Sequence, residues 1–322
     1  ASILIDPHGV LHFTGLNWAN VSGSIQGGVF HASTADRGTS WSTPVQVSFG
    51  EQADRNWLSR AADGTLFLTW QNSKPETHVA LSRDDGRTWS RPLGHAGIRN
   101  CNLQTEVVET SAGLFLACSR REEQRYWVGI YRLDPHGGTV VPVAELPAGS
   151  GTLQLSLAPY GPLVLTYPAW PRGKPDIVVW TAGPDAKEWS GPLSVRPLTT
   201  NDDGWNWTWL SEATPDPWGN HHIMMVGGTG ESCFNSGCAD AATRRKTVHV
   251  ILEVGAGALV GEELVSPVDP SQRIRPDGAA ALSYFEEFHS IVFDRQACAG
   301  LVAWGYDRYV DFTRVRPDAC LS

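Results

Sequence analysis

Residues 61–70 read AADGTLFLTW: an acidic turn closed by Gly64, then an apolar run ending in Thr69 and Trp70. The same form, turn then Gly then apolar strand, recurs as DPHGVLHFTG (6–15), TSAGLFLACS (110–119), APYGPLVLTY (158–167) and PWGNHHIMMV (217–226), with a looser copy in CAGLVAWGY (298–306). The turn glycines Gly9, Gly64, Gly113, Gly161, Gly219 and Gly300 lie roughly 50 to 80 residues apart, the spacing of four-stranded propeller blades. Each tract follows a strand-like segment such as LQTEVVE or LQLSLAP and precedes another such as THVALS, YWVGIYRL, DIVVWTA or VHVILEV. The expected order within a repeat is inner strand, Gly turn, second strand, long loop, third strand, turn, outer strand. No amphipathic helix of useful length is found. The reading predicts an all-β chain, a single six-bladed β-propeller of four-stranded antiparallel blades spanning residues 1–322.

Composition bounds the function. With 322 residues, 41% hydrophobic and only 18% charged, the chain can bury a substantial core and does not have the makeup of a disordered one. The net charge of -9 opposes a polyphosphate partner, so nucleic acid is not expected. No apolar run approaches the roughly 20 residues that span a bilayer. The start, ASILIDPHGVLHF, lacks a basic segment followed by an apolar core, as in a processed chain. Six cysteines favour an oxidising compartment and a secreted, extracellular protein. Proximity and repeat register suggest Cys101 with Cys118, Cys233 with Cys238, and Cys298 with Cys320. No Cys-x-x-Cys or close Cys and His set appears, so no metal is expected. Neither a cofactor nor a partner subunit is expected, which predicts a monomer.

A second repeat sits one strand later. Thr34-Ala-Asp36-Arg-Gly38-Thr-Ser-Trp41 and Ser82-Arg-Asp84-Asp-Gly86-Arg-Thr88-Trp89 share Ser/Thr-x-Asp-x-Gly-x-Thr/Ser-Trp, 48 residues apart. The pattern describes a tight turn. Asp accepts hydrogen bonds from nearby backbone N–H groups, Gly takes positive φ, and Trp returns its ring to the core. Weaker echoes stand at the same phase in 133–138 and 181–189. Here the chain resembles the Asp-box, or bacterial neuraminidase repeat, superfamily, which includes sialidases, exo-arabinanases, some polysaccharide lyases and non-enzymatic propellers. The resemblance implies that the boxes at 34–41 and 82–89 are structural and lie away from an active site.

The loops of the opposite face are rich in Trp, Arg, Asn and acid, a mixture that suits carbohydrate: flat rings stack on sugar C–H faces and fixed polar groups take the hydroxyls. The expected partner is an oligo- or polysaccharide, neutral or acidic. Counting back seven residues from each turn Gly along the inner strand gives Ser2, Trp57, Glu106, Gln154 and Glu212; nine back stand Arg55, Gln104, Thr152 and Leu210. The comparable stretch of the sixth repeat holds Tyr284, Glu286 and Glu287. Polar side chains on a strand that should be central mark a candidate site. Glycoside hydrolysis needs two carboxyl groups, one protonated and one acting as nucleophile or base. Glu106, Glu212, Tyr284 and Glu286 are the catalytic candidates, and Arg55, Trp57, Trp70, Asn72, Gln104, Arg121, Gln154, Trp170 and Trp207 the substrate-binding ones.

The resemblance implies a different set for an orthodox sialidase: a Tyr nucleophile with Glu (Tyr284, Glu212), an Asp acid (Asp54) and an Arg clamp (from Arg55, Arg121, Arg273 and Arg275). No Phe/Tyr-Arg-Ile-Pro segment occurs near the start, so an exo-acting glycosidase of another specificity is preferred. A lyase using Tyr284, His222 or His289 as base, and a lectin with an aromatic and polar funnel, are the alternatives. His221 and His222 are neighbours on one strand, so one is expected in solvent and the other packed. The insertion at 227–247 is expected to act as a lid or specificity loop.

Overall fold

The computed structural model describes residues 2–21, 24–48, 53–72, 74, 76–93, 98, 101–102, 105–122, 125–136, 138–148, 154–157, 162–169, 176–195, 207–215, 220–229, 244–253, 258–264, 289–294, 299–306 and 309–315. Among them there is no helix; the strands form six antiparallel sheets, each a meander in chain order. The chain divides into two compact units, residues 1–148 with 184–188, and residues 149–183 with 189–322.

The first unit holds three sheets. β1 (Ser2–Ile5), β2 (Leu11–Val21), β3 (Ser24–Thr34) and β4 (Val45–Gln46) form the first; β5 (Ala53–Arg60), β6 (Leu66–Asn72) and β7 (Thr77–Ser82) the second. β8 (Cys101–Asn102), β9 (Val108–Thr110), β10 (Gly113–Glu122), β11 (Arg125–Asp134) and β12 (Thr139–Ala148) make the third. β8 and β9 both pair with β10, so they are two halves of one interrupted inner strand. In the second sheet, Ser90 N–H donates to Leu81 and Leu93 N–H to Val79, which lays 90–93 along β7 in the place of a fourth strand.

The expected long loop between second and third strands does not hold for the first and third sheets. β2 and β3 run together from Leu11↔Thr34 to Val21↔Ser24, and β10 and β11 from Leu114↔Leu133 to Glu122↔Arg125. The alternating residues expected in a loop continue the ladder instead.

β6 explains the packing. All of its side chains but Gln71 are buried, because both of its faces are covered. Leu66, Leu68 and Trp70 join Val29, Ala53, Leu58 and Ala80 in a cluster shared with the first sheet. Phe67 points the other way, into a cluster with Val79, Leu81, Val107, Leu114, Leu116 and Tyr131 of the second and third sheets. The period-2 alternation of one strand thus fills two inter-sheet layers. Each fully buried large side chain contributes about 1.5–3 kcal/mol, so this strand anchors the unit.

Cys101 on β8 and Cys118 on β10 form a disulfide, with Cα atoms 5.5 Å apart and a sequence separation of 17. It ties the short β8 to the sheet centre. Replacing both cysteines by Ser should lower stability by about 3 kcal/mol, read as a lowered denaturant midpoint. Cys233, Cys238, Cys298 and Cys320 lie outside the described residues.

In the second unit, β13 (Gln154–Leu157), β14 (Leu163–Ala169), β15 (Asp176–Ala182) and β16 (Trp189–Val195) form one sheet. β17 (Trp207–Pro215), β18 (Asn220–Thr229), β19 (Arg244–Glu253) and β20 (Ala258–Leu264) form the next, and β21 (His289–Asp294), β22 (Ala299–Tyr306) and β23 (Tyr309–Val315) the last. Within it β17 lies against β13 and β14, and β21 against β17 and β18. His221 and His222 correct the expectation of one solvated ring: both are buried. β18 is flanked by strands on each edge and covered on each face, so alternation leads to no solvent-exposed side here.

The turns at 34–41 and 82–89 have the Asp hydrogen bonds and positive-φ glycines that the sequence predicts, but only one of their two indoles returns to the core. Thr34 Oγ1 donates to Asp36 Oδ1 at 2.7 Å, Ser40 donates to Asp36 through its N–H (2.8 Å) and its hydroxyl (2.6 Å), and Gly38 N–H donates to Thr34 Oγ1. The second turn repeats this with Ser82, Asp84, Gly86 and Thr88. The bonds from Ser40 and from Thr88, hydroxyl first, hold the Asp36 and Asp84 carboxyls down at about 2. Such acceptors are saturated, which suits a structural role. The two indoles differ. Trp89 donates Nε1–H to Gly86 O at 3.1 Å and sits edge-on to His31, whereas Trp41 is 46% exposed.

Beneath the second turn lies a buried imidazole pair, His12 Nδ1 and His31 Nε2 at 3.1 Å, each 1% exposed. Burial keeps both neutral and drives His31 down to about 4.

Candidate active site on the inner strands

The residues counted back from the turn glycines occupy one register. Ser2 lies opposite Thr14, Trp57 opposite Thr69, Gln154 opposite Thr166 and Glu212 opposite Met224. Each partner is the fifth residue after its turn Gly. The three threonines are fully buried, and in the first unit they join neighbouring sheets. Asn56 on β5 donates to Thr14 Oγ1 at 2.6 Å, and Thr69 Oγ1 donates to Thr105 O at 3.1 Å.

Glu106 departs from that register. Asn102 lies opposite Ser119 and Val108 opposite Phe115, so the inner strand carries two more residues than its partner over this stretch. Thr105 bridges the break: its N–H donates to Ala117 O at 2.9 Å, and its hydroxyl accepts from Ala117 N–H and donates to Glu106 O at 2.8 Å. Bulges of this kind re-aim a side chain. Glu106 is displaced from the ladder and half-buried, and loss of solvent around its carboxyl pushes that carboxyl up to about 7. A carboxylic acid near half protonation at neutral pH can give or take a proton.

β5 carries a bulge of its own. Register shifts between Asp54 and Trp57, and Arg55 has φ 52, in the left-handed region. Asp54 Oδ1 accepts from Arg55 N–H at 2.8 Å and steadies the distortion. A third shift falls in β17 between Trp209 and Ser211. Arg55 and Trp57 are half-buried, and Thr69, opposite Trp57, reaches the Thr105 carbonyl beside Glu106. Thr69 thus ties the strand paired with Trp57 to the segment that carries Glu106.

Two predicted ligand contacts are placed elsewhere. Trp70 is fully buried and stacks on His78, ring centroids 5.4 Å apart. Its ring belongs to the core because β6 is covered on both faces. Asn72 is buried too: Oδ1 accepts from Lys74 and Glu76 N–H, while Nδ2 contacts Glu76 Oε2 and His78 Nε2. Those bonds shape the β6–β7 connection. For Glu212, Arg121, Gln154 and Trp207 the backbone positions are on β17, β10, β13 and β17. Gln104, Trp170, Tyr284 and Glu286 lie outside the described residues.

Thr105 and Asn56, which position Glu106 and β5, were not predicted. The threonine row had a signal: Thr stands at the same place in HFTG, FLTW and VLTY.

No protein-family model matches the sequence, and no curated protein matches it. Solved structures do share the fold. The Hadza microbial sialidase Hz136 superposes with a TM-score of 0.61 at 14% identity, over 99% of this chain and 65% of its own. A mutant of the NanB sialidase from Streptococcus pneumoniae gives 0.55 at 9% identity, over 98% and 68%. Polysaccharide lyase Uly1 gives 0.52 at 12% identity, over 98% and 80%. The chain thus spans about two thirds of the length of the sialidases it resembles. Antiparallel sheets, with no helix among the described residues, are in this company consistent with a β-propeller.

Proposed function

We propose that the chain is a secreted carbohydrate-active enzyme, an exo-acting glycoside hydrolase on a single six-bladed Asp-box propeller, with Glu106 as the general acid. The observation that carries this reading is the desolvated Glu106 carboxyl, held near 7 at a break in an inner strand. Six sheets in meander order, two box turns of the same geometry, and the likeness to sialidase structures support the fold. A protonated Glu106 would deliver its proton to the glycosidic oxygen as the C–O bond breaks. Trp57 offers a ring for stacking, and Arg55 a cation for hydroxyls or a carboxylate. Glu212, by register alone, holds the place of Trp57 on its own sheet and is the candidate for the second carboxylate.

The likeness to Uly1, which takes in 80% of that chain against 65% and 68% of the two sialidases, favours a second reading, lyase action on a uronate-containing glycan. Turnover of sialosides, arabinofuranosides, rhamnosides and uronate polymers separates the two. Release of a free sugar supports the hydrolase; a rise in ultraviolet absorbance from an unsaturated product transfers the assignment to a lyase. Silence across the panel sinks both.

The pH profile gives a sharper check. A general acid works in its protonated form, so kcat/KM should hold below about pH 7 and fall tenfold per unit above it. A rate that keeps rising through pH 8 would remove Glu106 from the acid role.

A further inference from the structure

The box turns of the first two sheets flank a cleft of about 640 Å³ that the inner-strand site does not use. The β1–β2 turn contributes Asp6 and His8, the end of the first box and the segment after it contribute Trp41 and Thr43, and the second box contributes Asp85 and Arg87. The decisive feature is the contrast between two indoles at one position of a repeated motif. Trp89 is packed on His31 with its N–H bonded to Gly86 O. Trp41 is supported only at its edge, by Phe13 at 6.1 Å between centroids in a T-shaped contact. Its N–H has no hydrogen-bond partner among the described residues. It is also the only exposed Trp, Tyr or Phe among the residues whose burial is described. The bonds of Asp36 with Thr34 and Ser40 recur as those of Asp84 with Ser82 and Thr88, so this turn geometry does not require the exposure.

We propose that this cleft is a second carbohydrate-binding site, in which a neutral sugar ring stacks on Trp41 and its hydroxyls bond to Asp85, Arg87 and His8. An exposed indole beside fixed donors and acceptors is the combination that recognises pyranose and furanose rings. The rim sets Asp6 and Asp85 against Arg87, so no excess of positive charge selects a uronate. Asp6 Oδ1 already accepts from His8 and Val10 N–H, so that carboxylate is engaged within the β1–β2 turn. The role of the site is to retain the protein on a polymer while the inner-strand residues act on a chain end. The choice of carbohydrate rests on the functional reading above, but binding here needs no turnover.

The test is affinity electrophoresis through gels cast with arabinan, galactomannan or mixed-linkage β-glucan, and with a polyuronate, comparing wild type, Trp41→Ala, Trp41→Phe and Glu106→Gln. At least one neutral polymer should retard wild type and Glu106→Gln alike. Trp41→Ala should weaken that retardation about tenfold, Trp41→Phe less, and any turnover of a small aryl glycoside should stay unchanged. Trp41-dependent retardation without turnover in any assay would keep this site and overturn the hydrolase. Retardation that survives Trp41→Ala, that occurs only with the polyuronate, or that is missing from every gel would overturn the site. Circular dichroism identical to wild type shows that Trp41→Ala is folded, as an exposed position requires.

Discussion

Glu106→Gln should lower kcat by about 10²- to 10⁴-fold while sparing sugar binding, because Gln keeps the shape and hydrogen-bonding reach of the acid but has no proton to give. The same variant should gain stability in alkali. The Glu106 carboxyl is raised from 4.5 to about 7 by burial, so the folded chain binds an extra proton through that window. Stability therefore falls as pH rises across it, and above it the wild type holds a buried charge that Gln lacks. At about pH 8 the variant should be more stable by roughly 2–3 kcal/mol, and at about pH 4 the two should be equal. Denaturation at both pH values reads this directly. A variant that loses activity and stability together at both would mark Glu106 as a packing residue instead.

Gly86→Ala should be among the most damaging single substitutions, and Gly38→Ala, at the same motif position, should be mild. Both glycines have positive φ, 81 and 87, which costs a residue with Cβ about 1 kcal/mol. Only Gly86 is also crowded: a Cβ there would lie 2.0 Å from His31 Cε1 and 2.4 Å from Nδ1. At Gly38 nothing is nearer than 3.9 Å. The His31 ring has nowhere to swing, being buried, hydrogen-bonded to His12 and set against Trp89. Gly86→Ala should cost about 3 kcal/mol or more, and Gly38→Ala about 1 kcal/mol. Equal midpoints in urea would show that backbone strain alone governs both.

How far the sequence could be read depended on whether a feature repeats. The Gly-turn tracts and both box turns were legible because each occurs at a fixed phase, and the register of Ser2, Trp57, Gln154 and Glu212 followed from the turn glycines. Glu106 was found by the same counting, yet its environment was hidden. The extra residues at Thr105–Glu106 and at Arg55 alter pairing without altering composition, so a period-2 count passes over them. Burial was harder still. Trp70 sits at a strand end beside polar Gln71 and Asn72, which reads as a loop platform, but a sheet covered on both faces turns it into core. The same covering hides both His221 and His222. Trp41 erred in the opposite direction, since a motif that packs one indole leaves the other in solvent.

The buried threonines bear on how such a chain can arise. Thr14 is bonded from Asn56 of the following sheet, and Thr69 bonds to Thr105 of the sheet after it. The first two repeats thus each carry a donor or acceptor that the next one completes. Duplicating a whole repeat copies its half of the joint with it, whereas excising one would strand a hydroxyl or a carbonyl in the interior. Growth by tandem copying is therefore the cheap change for this architecture, and loss of an internal repeat the expensive one.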